Sequence, residues 1–179
     1  MKVCETFPTA EAILAIHRPR IGRDYVAYRN HVYRVLNLFG AIAGTRGHAS
    51  DTVQVAAAFH DIGIWTHHTF DYLEPSVEEA RAFIATSSCE CALPVLEAMI
   101  RDHHKIRRIA DPALADAEAF RRADLVDLSL GLVRFGVPGE FVRAIRTRFP
   151  NAGFHRLLLR ETARQFARSP LRPLPMFHW

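Results

Sequence analysis

Four polar residues set inside apolar, helix-forming stretches constrain this chain more than any other feature: His31, the adjacent pair His60-Asp61, and Asp124. His31 stands in Tyr28-Arg29-Asn30-His31-Val32-Tyr33-Arg34-Val35. His60-Asp61 closes Val55-Ala56-Ala57-Ala58-Phe59, and Asp124 lies in Arg121-Arg122-Ala123-Asp124-Leu125-Val126-Asp127. A carboxylate buried without a partner is costly. Imidazole nitrogens and carboxylate oxygens gathered in one helical core are the donors a divalent transition metal takes.

The apolar spacing is helical nearly throughout. It predicts a first helix over 9–17 that stops at Pro19, and a second after Asp24, a good N-cap, breaking around Gly44–Gly47. A third starts at Ser50-Asp51 and ends at His60-Asp61. Residues 65–74, aromatic and rich in histidine, read as a loop. Ser76-Val77-Glu78-Glu79 has the capping-box spacing of a fourth helix. A fifth covers 91–104, with Pro94 tolerated in its first turn. The sixth covers 117–135, the seventh 140–148, and the eighth starts at Asn151 and ends near Ser169-Pro170. The tail Leu171-Arg172-Pro173-Leu174-Pro175 cannot be helical and reads as an extended strap ending in Met176-Phe177-His178-Trp179. The expected architecture is one all-α domain over 1–179, a compact bundle of about seven to eight helices with an extended C-terminal tail.

At 179 residues the length suits one domain with a single sizeable core. Three cysteines, Cys4, Cys89 and Cys91, form neither an even set nor a Cys-x-x-Cys motif, so reduced thiols are expected. The N-terminus lacks the apolar core of a signal peptide, and no segment has the apolar length to span a bilayer. A cytoplasmic protein without a membrane partner is expected. The net charge of +4 suits an anionic small substrate and carries no motif of a nucleic-acid reader.

The order His31 … His60-Asp61 … Asp124, with its local context, resembles the HD-domain superfamily of metal-dependent phosphohydrolases. Tyr28-x-Asn30-His31-x-x-Arg34-Val35 is similar to the family's first-histidine helix. Phe59-His60-Asp61-Ile62-Gly63 is similar to its central motif, and Ala123-Asp124-x-x-Asp127 to its closing aspartate helix. The resemblance spans about residues 25–135. It implies that His31, His60, Asp61 and Asp124 hold a divalent metal, Mn, Fe, Co or Ni with Mg also allowed, at one or two ions per chain. His103 and His104 match the paired histidines of members with a second metal. Such members carry a further histidine between the two motifs, and the stretch 71–101 holds none; His67 and His68 are the substitutes at hand.

The implied activity is hydrolysis of a phosphate ester of a small metabolite, a nucleotide among the candidates, with His60 and Asp61 catalytic. Lys105 and Arg34, next to ligand motifs, are the expected phosphate contacts, and Asp127 is expected to orient a ligand or an arginine. The residues past Gly63 are Ile64-Trp65-Thr66, where many members carry a lysine or an acid, so no catalytic role transfers there. Trp65, Phe70 and Tyr72 are expected to shape the pocket. His17, His48, His155 and His178 belong to no constellation. Two other classes stay open: a di-iron oxygenase cleaving a C–C or C–P bond, for which the surplus of histidines speaks, and a non-catalytic ligand-binding module. The apolar tail is consistent with a homodimer interface or with a strap within one chain.

Overall fold

The computed structural model describes residues 1–45, 49–171 and 174–177. The predicted break at Gly44–Gly47 is therefore described only in part, and His48, Arg172, Pro173, His178 and Trp179 lie outside the described residues. Among those described there are nine α-helical segments and no strand: α1 (Pro8–Ile21), α2 (Tyr25–Ala43), α3 (Asp51–Phe59), α4 (Gly63–Thr66), α5 (Leu73–Thr86), α6 (Leu93–Asp102), α7 (Ala115–Leu128), α8 (Gly139–Arg148) and α9 (Phe154–Arg168). The fold is the all-α bundle expected: eight longer helices and the single turn α4.

Helix α2 is the axis. From Ala27 to Gly40 it is buried almost all round, as a helix without a polar face must be. It packs chiefly on α7 and also on α3, α1, α8 and α9; α3 in turn packs on α1, α5 and α6. The buried apolar side chains form one contiguous cluster, from Phe7 and Leu14 through Leu36 and Phe59 to Phe120 and Phe154.

Several boundaries differ from the sequence expectation. Helix α1 runs through Pro19 to Ile21, although Pro19 has no N–H to offer the carbonyl four residues back; Gly22, at φ +61°, then ends it. Asp24 precedes α2 without capping it by its side chain. Its carboxylate instead accepts from Trp65 Nε1 at 3.3 Å and Arg160 at 3.4 Å. Ser50 does cap α3, accepting from Val53 N at 3.5 Å.

Helix α5 begins three residues before Ser76, so Ser76 is no cap. Its hydroxyl accepts from Gly63 N at 3.0 Å, which ties α5 to the turn after His60-Asp61. Helix α7 stops at Leu128, well short of Phe135. Gly131 N bonds Val126 O at 2.8 Å and Leu130 N bonds Asp127 O at 3.0 Å, with Leu130 left-handed at φ +57°. This is a Schellman ending with leucine where glycine is usual, and the apolar run hid it. No helix among the described residues is long and apolar enough to cross a membrane.

Gly63 is required for a steric reason. A Cβ there would lie 2.7 Å from Tyr72 O, 3.0 Å from Pro75 Cβ and 3.1 Å from Tyr72 Cβ. Overpacking against fixed backbone costs about 1–3 kcal/mol. Gly63→Ala should therefore lower the melting temperature by several degrees, read by circular dichroism; an unchanged midpoint would show that the turn gives way freely.

Candidate metal centre

Three helices and one turn bring the sequence-singled residues together. The α2 residue His31, the α7 residue Asp124 and the pair His60-Asp61 just past the end of α3 meet with His103, which follows α6; all five are at most 3% exposed. His31 Nε2 lies 3.0 Å from His60 Nε2, 3.4 Å from Asp124 Oδ1 and 3.7 Å from Asp61 Oδ2. His60 Nε2 lies 3.3 Å from Asp61 Oδ2. On the far side of Asp61, its Oδ1 is 3.4 Å from His103 Nε2, and His104 Nδ1 is 3.6 Å from Asp124 Oδ2. Two overlapping groups could each hold an ion: His31, His60 and Asp61, and Asp61, His103 and His104. Asp61 belongs to both.

The imidazoles are aimed from behind. His60 Nδ1 donates to Ala57 O at 2.8 Å and His103 Nδ1 to Ile100 O at 2.7 Å. Both partners sit three residues back in the last turn of a helix, where carbonyls are otherwise unpaired. His31 Nδ1 meets Asp127 Oδ2 at 2.7 Å, and Phe154 stacks on its ring at 4.0 Å. Each of the three therefore presents Nε2 to the centre, the arrangement that fixes a metal-binding tautomer. Tyr28 holds the His60-Asp61 turn in place: its hydroxyl donates to Ala58 O at 2.9 Å and accepts from Asp61 N at 3.3 Å.

Asp127 does what was expected of it, and more. Besides His31 it takes the Arg34 guanidinium in a fork, with Nε to Oδ1 at 2.6 Å and Nη2 to Oδ2 at 2.9 Å. The remaining Arg34 nitrogen donates to Phe149 O and Pro150 O at 3.1 and 3.2 Å. Arg34 is 2% exposed, so its expected role as a phosphate contact is corrected: all three guanidinium nitrogens are bonded within the fold. Lys105 stands differently, its Nζ 3.8 Å from Asp102 Oδ1 at the edge of a cavity that also touches His103, His104 and Asp124.

His67 and His68, expected as candidate ligands, are not brought to the cluster. Both are exposed; His67 faces Thr66 and Glu79, and His68 is left-handed at φ +52° in the turn after α4. The short α4 carries the chain outward before it turns back into α5. Trp65 and Tyr72, expected to shape the pocket, are held within the fold. Trp65 is buried against Tyr28, and the Tyr72 hydroxyl bonds His104 Nε2 at 2.9 Å. The sequence reading assigned no site role to Phe154, whose place over His31 depends on the α8–α9 connection, or to Tyr28. Tyr28 was legible in principle, standing three residues before His31 and so on the same helical face.

The buried charges do not balance. Asp61, Asp124 and Asp127 face one guanidinium, leaving two negative charges if the imidazoles are neutral. Without an ion, protons fill the gap. Burial opposes a charged His31, but Asp124 and Asp127 outweigh it and push its pKa up to about 9. Burial instead dominates at His60, held down to about 4, and with His103 beside it holds His104 down to about 3. Burial also works against the Asp61 and Asp124 carboxylates, yet the surrounding imidazoles keep both below the usual range. Three buried atoms, Asp61 Oδ1, Asp124 Oδ2 and His103 Nε2, lack a hydrogen-bond partner among the described residues. Such atoms cost about 1–3 kcal/mol each, and all three face the centre. Oxygen and imidazole donors of this kind, two charges short of neutrality, fit a divalent cation.

A family model for the HD domain matches residues 28–129, more than half of the chain, and the chain belongs to that family. Its members are typically metal-dependent phosphohydrolases. No curated protein and no solved structure matches the chain.

Two consequences are measurable. Asp127→Asn, which weakens the brace behind His31 and leaves the buried Arg34 guanidinium without its counter-charge, should loosen divalent metal binding by about 10–100-fold in a competition titration and also lower the melting midpoint. The second concerns Glu118, which braces the segment after His104 by accepting from Ile109 N at 3.0 Å, Arg121 at 2.8 Å and Arg122 at 2.7 Å. Burial resists its charge, but Arg121 and its other donors bring its pKa down to about 2. A depressed carboxyl contributes stability above its unfolded value near 4.5, and that contribution is lost as pH falls toward 2. The stability gap between the native chain and Glu118→Gln should therefore be full at pH 6 and shrink below about pH 4.5 in denaturant titrations.

Proposed function

We propose that this chain is a metal-dependent phosphohydrolase acting on a phosphate monoester of a small metabolite. The observation that carries the reading is the sharing of Asp61 by two groups of convergent donors, in a buried centre two negative charges from neutrality. One divalent ion neutralises it. A second would leave two positive charges, which complement a phosphate monoester at neutral pH, itself at −1.5 to −2.

His31, His60, Asp61 and Asp124 would hold the first ion, and Asp61, His103 and His104 a second. Bound there, such an ion supplies Lewis acidity toward a phosphoryl oxygen and a water of lowered pKa. The chain's own contribution is orientation. Ala57 O, Ile100 O and Asp127 fix three imidazoles, Tyr28 fixes the Asp61 backbone, and near-complete burial keeps bulk water from weakening the electrostatics. Lys105 is placed to balance charge on a phosphate oxygen at the open edge. A second reading draws on the four imidazoles set around Asp61 and Asp124: the same donors suit two irons, and with dioxygen an oxygenase.

The test is metal content per chain on untagged protein purified without chelator, followed by turnover of a phosphomonoester panel. One or two equivalents of Mn, Fe, Co or Ni with phosphate release are expected, and His60→Ala, Asp61→Ala or Asp124→Ala should each lower turnover at least 10³-fold with the helical signal intact. Full turnover in any of the three would sink the assignment. Two irons with visible absorption and oxygen uptake would favour the oxygenase.

A further inference from the structure

Beside the centre lies a cavity of about 240 Å³ with a mixed lining. Its polar lining includes the candidate ligands His104 and Asp124. The walls are apolar: Ile106, Leu125, Leu128 and Phe177. Phe177 comes from the C-terminal tail, far from the motif-bearing helices in sequence. Its ring stacks on His104 at 5.1 Å with 26° between planes. The ring is 46% exposed, whereas its neighbour Met176 is 2% exposed and anchors the segment. The tail thus places one aromatic wall directly against a candidate ligand.

Charge around the cavity is sparse. Arg121 borders it, but its guanidinium is committed to Glu118 at 2.8 and 2.9 Å and to Lys105 O at 3.2 Å. Lys105, in a loose pair with Asp102, is the remaining cation of the lining. A nucleoside triphosphate would bring several negative charges and a large polar sugar to this space. The volume is also below the ~300–1,000 Å³ of pockets that take drug-sized ligands.

We infer that this cavity receives the organic part of the substrate, and that Phe177 and its apolar neighbours select a compact apolar group, such as one ring or a short alkyl chain, carrying a single phosphate. The inference rests on the phosphohydrolase reading for the phosphate and on the cavity alone for the organic group.

The two are separable by measuring binding apart from turnover. Phenylphosphonate and methylphosphonate are titrated into the full metal-loaded chain by calorimetry, and phenyl phosphate and glycerol phosphate are offered as substrates. Phenylphosphonate should bind at least tenfold more tightly than methylphosphonate. Phe177→Ala should weaken phenylphosphonate at least fivefold and narrow the gap, while Phe177→Leu, which keeps an apolar wall, should retain most of it. Equal affinity of the two phosphonates in the native chain, or a gap that Phe177→Ala leaves untouched, would overturn the inference even if phosphate esters are hydrolysed. A phenyl preference in binding with no ester hydrolysed would keep the cavity assignment and remove the phosphohydrolase reading.

Discussion

The Asp127 carboxylate is the interaction on which the rest of the structure depends. It sits near the end of α7 and is shared between His31 and Arg34, both on α2. Arg34 continues the connection to the carbonyls of Phe149 and Pro150, so one carboxylate joins the central helix, the aspartate helix and the link into α9. A fully buried ion pair of this kind holds only because each charge is met by several hydrogen bonds. The same residue takes part in the end of α7: Asp127 O accepts from Leu130 N in the Schellman turn while its side chain faces inward.

From that brace the centre follows by helix geometry. Helix ends leave carbonyls unpaired, and two of the site imidazoles use this directly, each turning Nδ1 back onto a carbonyl of its own last turn. The cost of burying three carboxylates near one another is then moderated by imidazoles and one guanidinium but not cancelled, as the unpartnered Asp61, Asp124 and His103 atoms record. Fold stability and ion binding are linked here, since an ion that binds only the folded chain stabilises it by mass action.

The connecting segments decide how the centre meets its surroundings. The α4 turn sends His67 and His68 to the surface, and the close approach at Gly63 makes that turn tight. The segment after His104 is held by Glu118 and Arg121. From the tail, Phe177 stacks on His104 while Met176 beside it is buried. The side chains next to the candidate ligands thus come from three regions with little sequence relation to one another.

The sequence by itself determined the class of fold, the order of the helices and the principal donors, because those depend on local periodicity and on polar residues set in apolar helices. His31, His60, Asp61 and Asp124 stand out for that reason, and their resemblance to the HD-domain motifs is what implies a ligand role. It could not settle which further residues join them. His67 and His68 are as histidine-rich in sequence as His103 and His104, yet only the latter pair is carried inward. That choice is made by the path of α4 and the docking of α6 on α3 and α7. Arg34 looked like a phosphate contact because its guanidinium was unassigned in the sequence. Only tertiary contact with Asp127 and the α8–α9 link, over 90 residues away, shows its three nitrogens bonded within the fold. Periodicity reports which face of a helix turns inward; what that face meets is set by long-range packing.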